Sequence, residues 1–183
     1  MGRNSKHITY VFDLDNTLVR TNVANNESYK DAIRMVVNRN ISISSRRRIT
    51  RHNLITVVPD LSSVQVEKII RMKELFFSRY MDSTMLNKYL TKMLKKLHEC
   101  GNETILLTNS HMARALQVCS FYGLDQFFSS QYYFENYQCN KYQFLKDKGY
   151  DMESIVLFEN DSKSIRVAAS NGIDINNIIK VKF

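Results

Sequence analysis

His7-Ile8-Thr9-Tyr10-Val11-Phe12-Asp13-Leu14-Asp15-Asn16-Thr17-Leu18 is the stretch on which the fold turns. Its first half is apolar, β-branched and aromatic, and it ends abruptly in acids, as a buried strand does at its carboxyl end. Two later stretches share that form. Glu103-Thr104-Ile105-Leu106-Leu107 runs into Thr108-Asn109-Ser110, and Ser154-Ile155-Val156-Leu157-Phe158 runs into Glu159-Asn160-Asp161. Each is followed by apolar residues at helical spacing with a glycine stop: Met112, Ala115, Leu116 and Cys119 before Gly123, then Ile165, Ala168 and Ala169 before Gly172. Strand, polar tip and helix in repetition predict parallel βα units. Ile178-Ile179-Lys180-Val181 would close the sheet, and Gln131-Tyr132-Tyr133-Phe134 is a weaker strand candidate.

Between the first and second of these units the pattern changes. Ala32, Ile33, Val36 and Val37 form one helical stripe, Val64, Ile69, Met72 and Phe76 a second, and Leu86, Leu90, Met93, Leu94 and Leu97 a third. Pro59, the only proline, separates the first from the second, and Gly101 ends the third. Structureless connections beyond roughly 12–15 residues are uncommon, so a run this long predicts a helical subdomain. The expected organisation is an α/β core over residues 1–20 and 100–183, interrupted by a helical insertion over residues 21–99 whose last helix crosses back to the sheet.

At 183 residues there is room for one domain with a small insertion but not for two full domains. A hydrophobic share of 44% with 24% charged residues excludes disordered, collagen-like and low-complexity classes. Cys100, Cys119 and Cys139 are odd in number and never spaced as C-x-x-C, so neither a disulfide framework nor a thiolate zinc site is expected. No apolar run has the length of a signal peptide or a membrane span, which predicts a soluble cytoplasmic protein without a membrane partner. The net charge of +8 is unevenly placed: residues 20–100 hold 16 Lys+Arg against 7 Asp+Glu, and the rest of the chain 10 against 11. The densest run is Arg46, Arg47 and Arg48 with Arg51. Such a run is either a solvated surface or a face toward an anionic ligand.

Ligands of open parallel sheets bind outside the carboxyl ends of the strands, so the tips carry the function. Asp13-Leu14-Asp15-Asn16-Thr17, following Val11-Phe12, resembles the first motif of the haloacid dehalogenase superfamily of phosphotransferases, D-x-D-x-T/V at a strand tip. The other motifs of that family follow in order. Thr108-Asn109 matches the strand ending in Ser or Thr, Lys141 the lysine at a helix start, and Glu159-Asn160-Asp161 the acidic motif of the next tip, although a glutamate and an asparagine replace its usual first acids. The resemblance covers residues 7–183 apart from the insertion and implies a Rossmann-like parallel sheet flanked by helices, with the insertion as a small α-helical cap.

It also implies a magnesium-dependent phosphatase. A phosphate monoester repels an attacking carboxylate unless a cation neutralises both, and hard Mg2+ takes oxygen ligands. Asp13, a backbone carbonyl at Asp15, and Glu159 or Asp161 would hold the ion. By resemblance Asp13 is the nucleophile that forms an aspartyl-phosphate, Asp15 the general acid and base, and Thr108, Asn109 and Lys141 the phosphate ligands. Taken singly, Asp15 also suits a turn cap, Thr108 the N-cap of the following helix and Lys141 a solvated helix position. Together on successive tips they favour catalysis.

A cap that closes over the site favours a small phosphorylated substrate, and the basic insertion suggests a nucleotide, with Arg46, Arg47, Arg48 and Arg51 as recognition residues. The alternatives are a phosphatase acting on nucleic-acid ends, or a HAD-fold binding module for anionic partners that has lost turnover.

Overall fold

In chain order the strands and α-helices are β1 (Thr9–Phe12), β2 (Val19–Arg20), α1 (Asn22–Val37), α2 (Leu54–Val57), α3 (Ser63–Phe77), β3 (Met85–Leu86), α4 (Lys88–Glu99), β4 (Glu103–Thr108), α5 (Met112–Tyr122), β5 (Ser130–Tyr133), α6 (Lys141–Asp147), β6 (Ile155–Glu159), α7 (Ser162–Ser170) and β7 (Ile178–Lys180). They come from a computed structural model that describes residues 7–43, 47–134 and 140–183. The chain divides into two compact units, Met1–Val19 with Leu86–Phe183, and Arg20–Met85.

The first unit is built on a five-stranded sheet of order β5-β4-β1-β6-β7. Every pairing is parallel, with Val11 facing Ile105 on one side and Leu157 on the other. Buried on both faces, β1, β4 and β6 need no alternation of polar residues, which is why their sequences read as continuous apolar runs. Val11, Ile105, Leu107, Ile155 and Leu157 join Tyr142 and Leu145 of α6 and Ala168 of α7 in one core. On β1, Phe12 stacks on Phe158 with ring centroids 4.6 Å apart. The chain runs outward from β1 through β4 to β5, then returns across β1 to β6 and β7. The order reverses between the carboxyl ends of β1 and β6, the place where this class of sheet receives its ligands. The Rossmann-like α/β architecture expected from sequence is therefore present.

Helix α4 belongs to this unit. The asparagine cap Asn87 accepts the Leu90 N–H at 3.1 Å, and Leu90 and Leu94 are buried on a face that carries the helix back to β4. The sequence segment 21–99 places this helix in the insertion, whereas the second unit ends at Met85. The helix crosses back to the sheet as the sequence suggests, and its apolar stripe serves that sheet, so only the boundary of the insertion moves. Lys88, Lys92, Lys95 and Lys96 go with it, so part of the basic surplus lies on the sheet unit.

The second unit, Arg20–Met85, has its own core of Tyr29, Ala32 and Ile33 from α1, Ile49, Leu54 and Val58, and Ile69 and Phe76 from α3. Two buried asparagines of α1 bind the loop that follows it. Asn25 Nδ2 donates to the Ile49 carbonyl at 2.8 Å, and Asn26 accepts the Ile49 N–H at 3.0 Å while donating to the Arg47 carbonyl at 2.8 Å. A capping box between Ser62 and Gln65 starts α3. Among the described residues no helix is long and apolar enough to cross a membrane.

Candidate active site

Asp13 ends β1. Its N–H extends the ladder to the Phe158 carbonyl at 3.0 Å, which places the residue at the carboxyl end of the sheet. The next residues fold into a tight turn in which the Leu14 carbonyl accepts the N–H groups of Thr17, Leu18 and Val19. Asn16 takes the left-handed conformation at φ 60°, which a short polar side chain tolerates better than most. The turn brings the Thr17 hydroxyl back to Asp13 Oδ2 at 3.0 Å and to Asn160 Oδ1 at 3.3 Å. The D-x-D-N-T spacing is thus a backbone requirement as well as a chemical one.

From the other side, Lys141 opens α6 immediately after its cap residue Asn140. Its ammonium reaches Asp13 Oδ1 at 3.2 Å, Glu159 Oε2 at 2.9 Å and the Leu107 carbonyl at 3.2 Å, which satisfies all three of its donors. Glu159, the last residue of β6, takes five donors: Lys141, the Tyr142 hydroxyl at 3.0 Å, the Ser164 hydroxyl at 2.8 Å, and the backbone N–H groups of Asn160 and Asp161 at 2.9 and 3.1 Å. Both side chains are buried, Lys141 4% and Glu159 2% exposed.

The charges set one another. Burial raises the Asp13 carboxyl to about 7, with Glu159 adding to the effect and Lys141 opposing it. Burial also works to lower the Lys141 ammonium, but the carboxylates of Asp13 and Glu159 outweigh it and hold the lysine well above its ordinary value. For Glu159 the cost of burial is overcome by the Lys141 charge and by the donors around it, so its pKa is lowered. Two carboxyls and one ammonium leave this pocket with a deficit of positive charge, and Asp13 carries it.

Asp15 points elsewhere. Its Oδ2 accepts from the Ser110 hydroxyl and from Arg114 at 3.2 Å, and Arg114 also donates to Ser110 at 2.9 Å. Thr108, at the end of β4, is buried; its hydroxyl accepts the Ser110 N–H at 3.1 Å. Asn109 is half-buried beside it at the same tip.

The sequence profile of NLI interacting factor-like phosphatases matches residues 8–180. The chain belongs to that family. No curated protein matches it in sequence. Solved structures share its fold at low identity. CbbY from Rhodobacter sphaeroides in complex with phosphate is 15% identical with a TM-score of 0.80, covering 96% of this chain and 87% of its own. A haloacid dehalogenase-like hydrolase from Streptococcus pneumoniae is 15% identical with a TM-score of 0.73, covering 91% and 82%. A HAD-superfamily hydrolase of subfamily IA from Geobacter sulfurreducens is 17% identical with a TM-score of 0.64, covering 93% and 86%. The protein is a HAD-type phosphatase.

In this phosphatase Asp13, Lys141 and Glu159 form one hydrogen-bonded cluster. Asp161 stands apart from it: exposed at the start of α7, its carboxylate accepts the Ser164 N–H at 2.8 Å as the helix cap. Thr17, Ser110, Arg114, Tyr142, Ser164 and Asn160 are site residues that the strand-tip reading passes over. Thr17 and Asn160 lie inside the quoted motifs, whereas no pattern in the sequence distinguishes Arg114 from a solvated helix residue.

The arginines expected to face the substrate belong to the second unit. Arg46 lies outside the described residues. Arg47 is exposed, and Arg48 donates to Thr21 Oγ1 at 3.0 Å and to Asn22 Oδ1 at 2.8 Å, at the start of α1. Arg51 is half-buried.

Among the described residues no group of three or more His, Cys, Asp or Glu side chains is arranged around a metal position. A magnesium ion does not require one, since it takes one or two carboxylates, keeps several waters and completes its shell with substrate phosphate. The raised carboxyl of Asp13, with the Asn160 amide oxygen tied to it through Thr17, is an oxygen-donor set that suits a hard cation.

Proposed function

We infer that the chain hydrolyses a phosphate monoester in two steps through Asp13. The observation that carries this reading is the buried contact of Asp13 with Lys141 at a strand tip, supported by Glu159 and Thr17. The Asp13 carboxylate attacks phosphorus and forms an aspartyl-phosphate as the leaving-group oxygen departs. Lys141 offsets charge on Asp13 and on the phosphoryl oxygens, and cannot drift because Glu159 and the Leu107 carbonyl fix its other donors. The Thr108 hydroxyl, accepting from Ser110, has its own hydrogen to give to a phosphoryl oxygen. Asn109 would place its amide beside it. Asp15 protonates the leaving group and then takes a proton from the water that hydrolyses the acyl phosphate.

Asp13, the backbone carbonyl of Asp15 and the Asn160 amide would hold Mg2+, which supplies charge neutralisation at the phosphoryl group. Asp161, whose Oδ1 caps α7, is assigned to the helix rather than to this set, and Glu159 contributes its charge while its oxygens accept from five donors. The substrate class is a small phosphorylated metabolite such as a nucleotide, a reading supported by the second unit, where residues 20–85 hold 12 Lys+Arg against 6 Asp+Glu.

The test is phosphate release from nucleoside monophosphates and an aryl phosphate, with and without chelator, followed by mass spectrometry of acid-quenched protein. Turnover that requires magnesium and a phosphoryl mass adduct on the peptide holding Asp13 are expected. Turnover undiminished in excess chelator, or an adduct elsewhere, would overturn the mechanism.

A further inference from the structure

Arg114 is the third residue of α5, and its side chain is only 8% exposed. Stability does not select such a position. A cation in the first turn faces the partially positive end of the helix, and a buried guanidinium loses its hydration unless it is paired. Two of its partners lie on the path to Asp15: Arg114 donates to Asp15 Oδ2 at 3.2 Å and to the Ser110 hydroxyl at 2.9 Å, and Ser110 donates to the same Asp15 oxygen. Ser110 is itself held, since its N–H is bound by the Thr108 hydroxyl at 3.1 Å. A chain of contacts therefore runs from the tip of β4 through Ser110 and Arg114 to a carboxylate on the turn after β1, across 99 residues of sequence.

We propose that Arg114, acting with Ser110, is the positioning residue for Asp15, orienting its carboxylate for proton transfer to the leaving group. This rests on the assignment of Asp15 as the proton donor. Arg114 touches no substrate in this scheme; it restricts the rotamers of Asp15 by holding its Oδ2. A carboxylate held by no donor samples several rotamers even on a half-buried turn, and a misplacement of about 1 Å costs up to roughly 100-fold in rate. The residue types fit the task. A planar guanidinium reaches a hydroxyl and a carboxylate together in a way that an ammonium does not.

The test separates proton donation from folding by the choice of leaving group. A nitrophenolate departs as an anion, whereas an alkoxide needs a proton, and kcat/KM covers the steps through departure of the leaving group. Arg114→Gln, Arg114→Lys, Ser110→Ala and Asp15→Asn are each compared on an alkyl phosphate and on 4-nitrophenyl phosphate, with thermal midpoints measured in parallel. Arg114→Gln is expected to lose about 10–100-fold on the alkyl ester and less than about threefold on the nitrophenyl ester, with part of the loss restored in Arg114→Lys. In an Asp15→Asn background the same change should cost nothing more, because a residue acting through Asp15 has nothing left to position. Ser110→Ala should show the same split in weaker form, and it answers the question if the arginine variants do not fold. Equal losses on the two esters, or additive losses in the Asp15→Asn background, overturn the assignment of Arg114. If Asp15→Asn itself treats the esters alike, the proton-donor reading of Asp15 fails, and the positioning role falls with it.

Discussion

The Lys141 ammonium lies 3.2 Å from Asp13 Oδ1 and 2.9 Å from Glu159 Oε2, bridging residues at the tips of two adjacent strands. Removing it leaves two carboxyls buried together with no counter-charge. Breaking a buried pair costs roughly 3–5 kcal/mol, far more than an exposed one. Lys141→Met is expected to lower stability by that order in urea unfolding and to abolish turnover. Adding Glu159→Gln to Lys141→Met should recover part of the stability and none of the activity. Recovery of activity in the double variant would mean that Lys141 only balances Glu159.

The raised carboxyl of Asp13 makes cation binding depend on pH. A group whose folded pKa lies above its unfolded value stabilises the fold below the unfolded value, and that contribution is lost as pH rises toward the folded one. For Asp13 the window runs from the ordinary carboxylate range to about 7. A divalent ion competes with the Asp13 proton, so its affinity should climb by nearly tenfold per pH unit below about 7 and level off above it. Magnesium titration calorimetry at pH 5.5, 6.5 and 8 reads this directly. A flat affinity across that range removes Asp13 from the ligand set.

At the tip of β6 the proposed mechanism makes Glu159 a charge anchor, Asn160 an oxygen donor to the metal and Asp161 a cap. Asp161→Asn should leave magnesium affinity unchanged, because asparagine also caps helices and the loss is within about 0.5 kcal/mol. Asn160→Ala should weaken magnesium about tenfold while unfolding normally. Glu159→Gln should lower stability through its five donors. If Asp161→Asn weakens the metal and Asn160→Ala does not, the ligand has been placed on the wrong residue.

Much of this arrangement was legible because parallel strands buried on both faces announce themselves. Val11-Phe12, Ile105-Leu106-Leu107 and Val156-Leu157-Phe158 each stop at a polar residue, and the polar residue is the site. The chain says much less about side-chain direction. Asp161 and Glu159 are both acids at one tip, yet one caps a helix and the other is buried beneath Lys141, a distinction made by three-dimensional neighbours such as Tyr142 and Ser164. Arg114 falls between Met112 and Ala115 on a helix, where periodicity cannot separate a buried arginine from a solvated one. The helix α4 was readable as amphipathic and as crossing back to the sheet, but not the boundary before it, because an apolar stripe does not mark where one unit ends.

The arginine run separates in the same way, into a structural and a surface residue, and the two should respond differently to substitution. Arg48 donates two hydrogen bonds to the start of α1, so Arg48→Gln is expected to lower stability by about 1–2 kcal/mol, a shift of a few degrees in thermal midpoint. Arg47 exposes its side chain, and Arg47→Gln should leave the midpoint unchanged. If the second unit's positive charge draws in polyanionic substrates, Arg47→Gln should raise KM for a nucleoside monophosphate by a few fold, the scale of one exposed charge worth up to about 1 kcal/mol. The same variant should treat a small aryl phosphate like the parent protein. The difference should shrink as salt is raised, since charges farther apart than about 8 Å are screened at physiological ionic strength. A KM for nucleotide that is insensitive both to Arg47→Gln and to salt would show that the basic surplus of residues 20–85 does not select the substrate, and the nucleotide reading would lose its support.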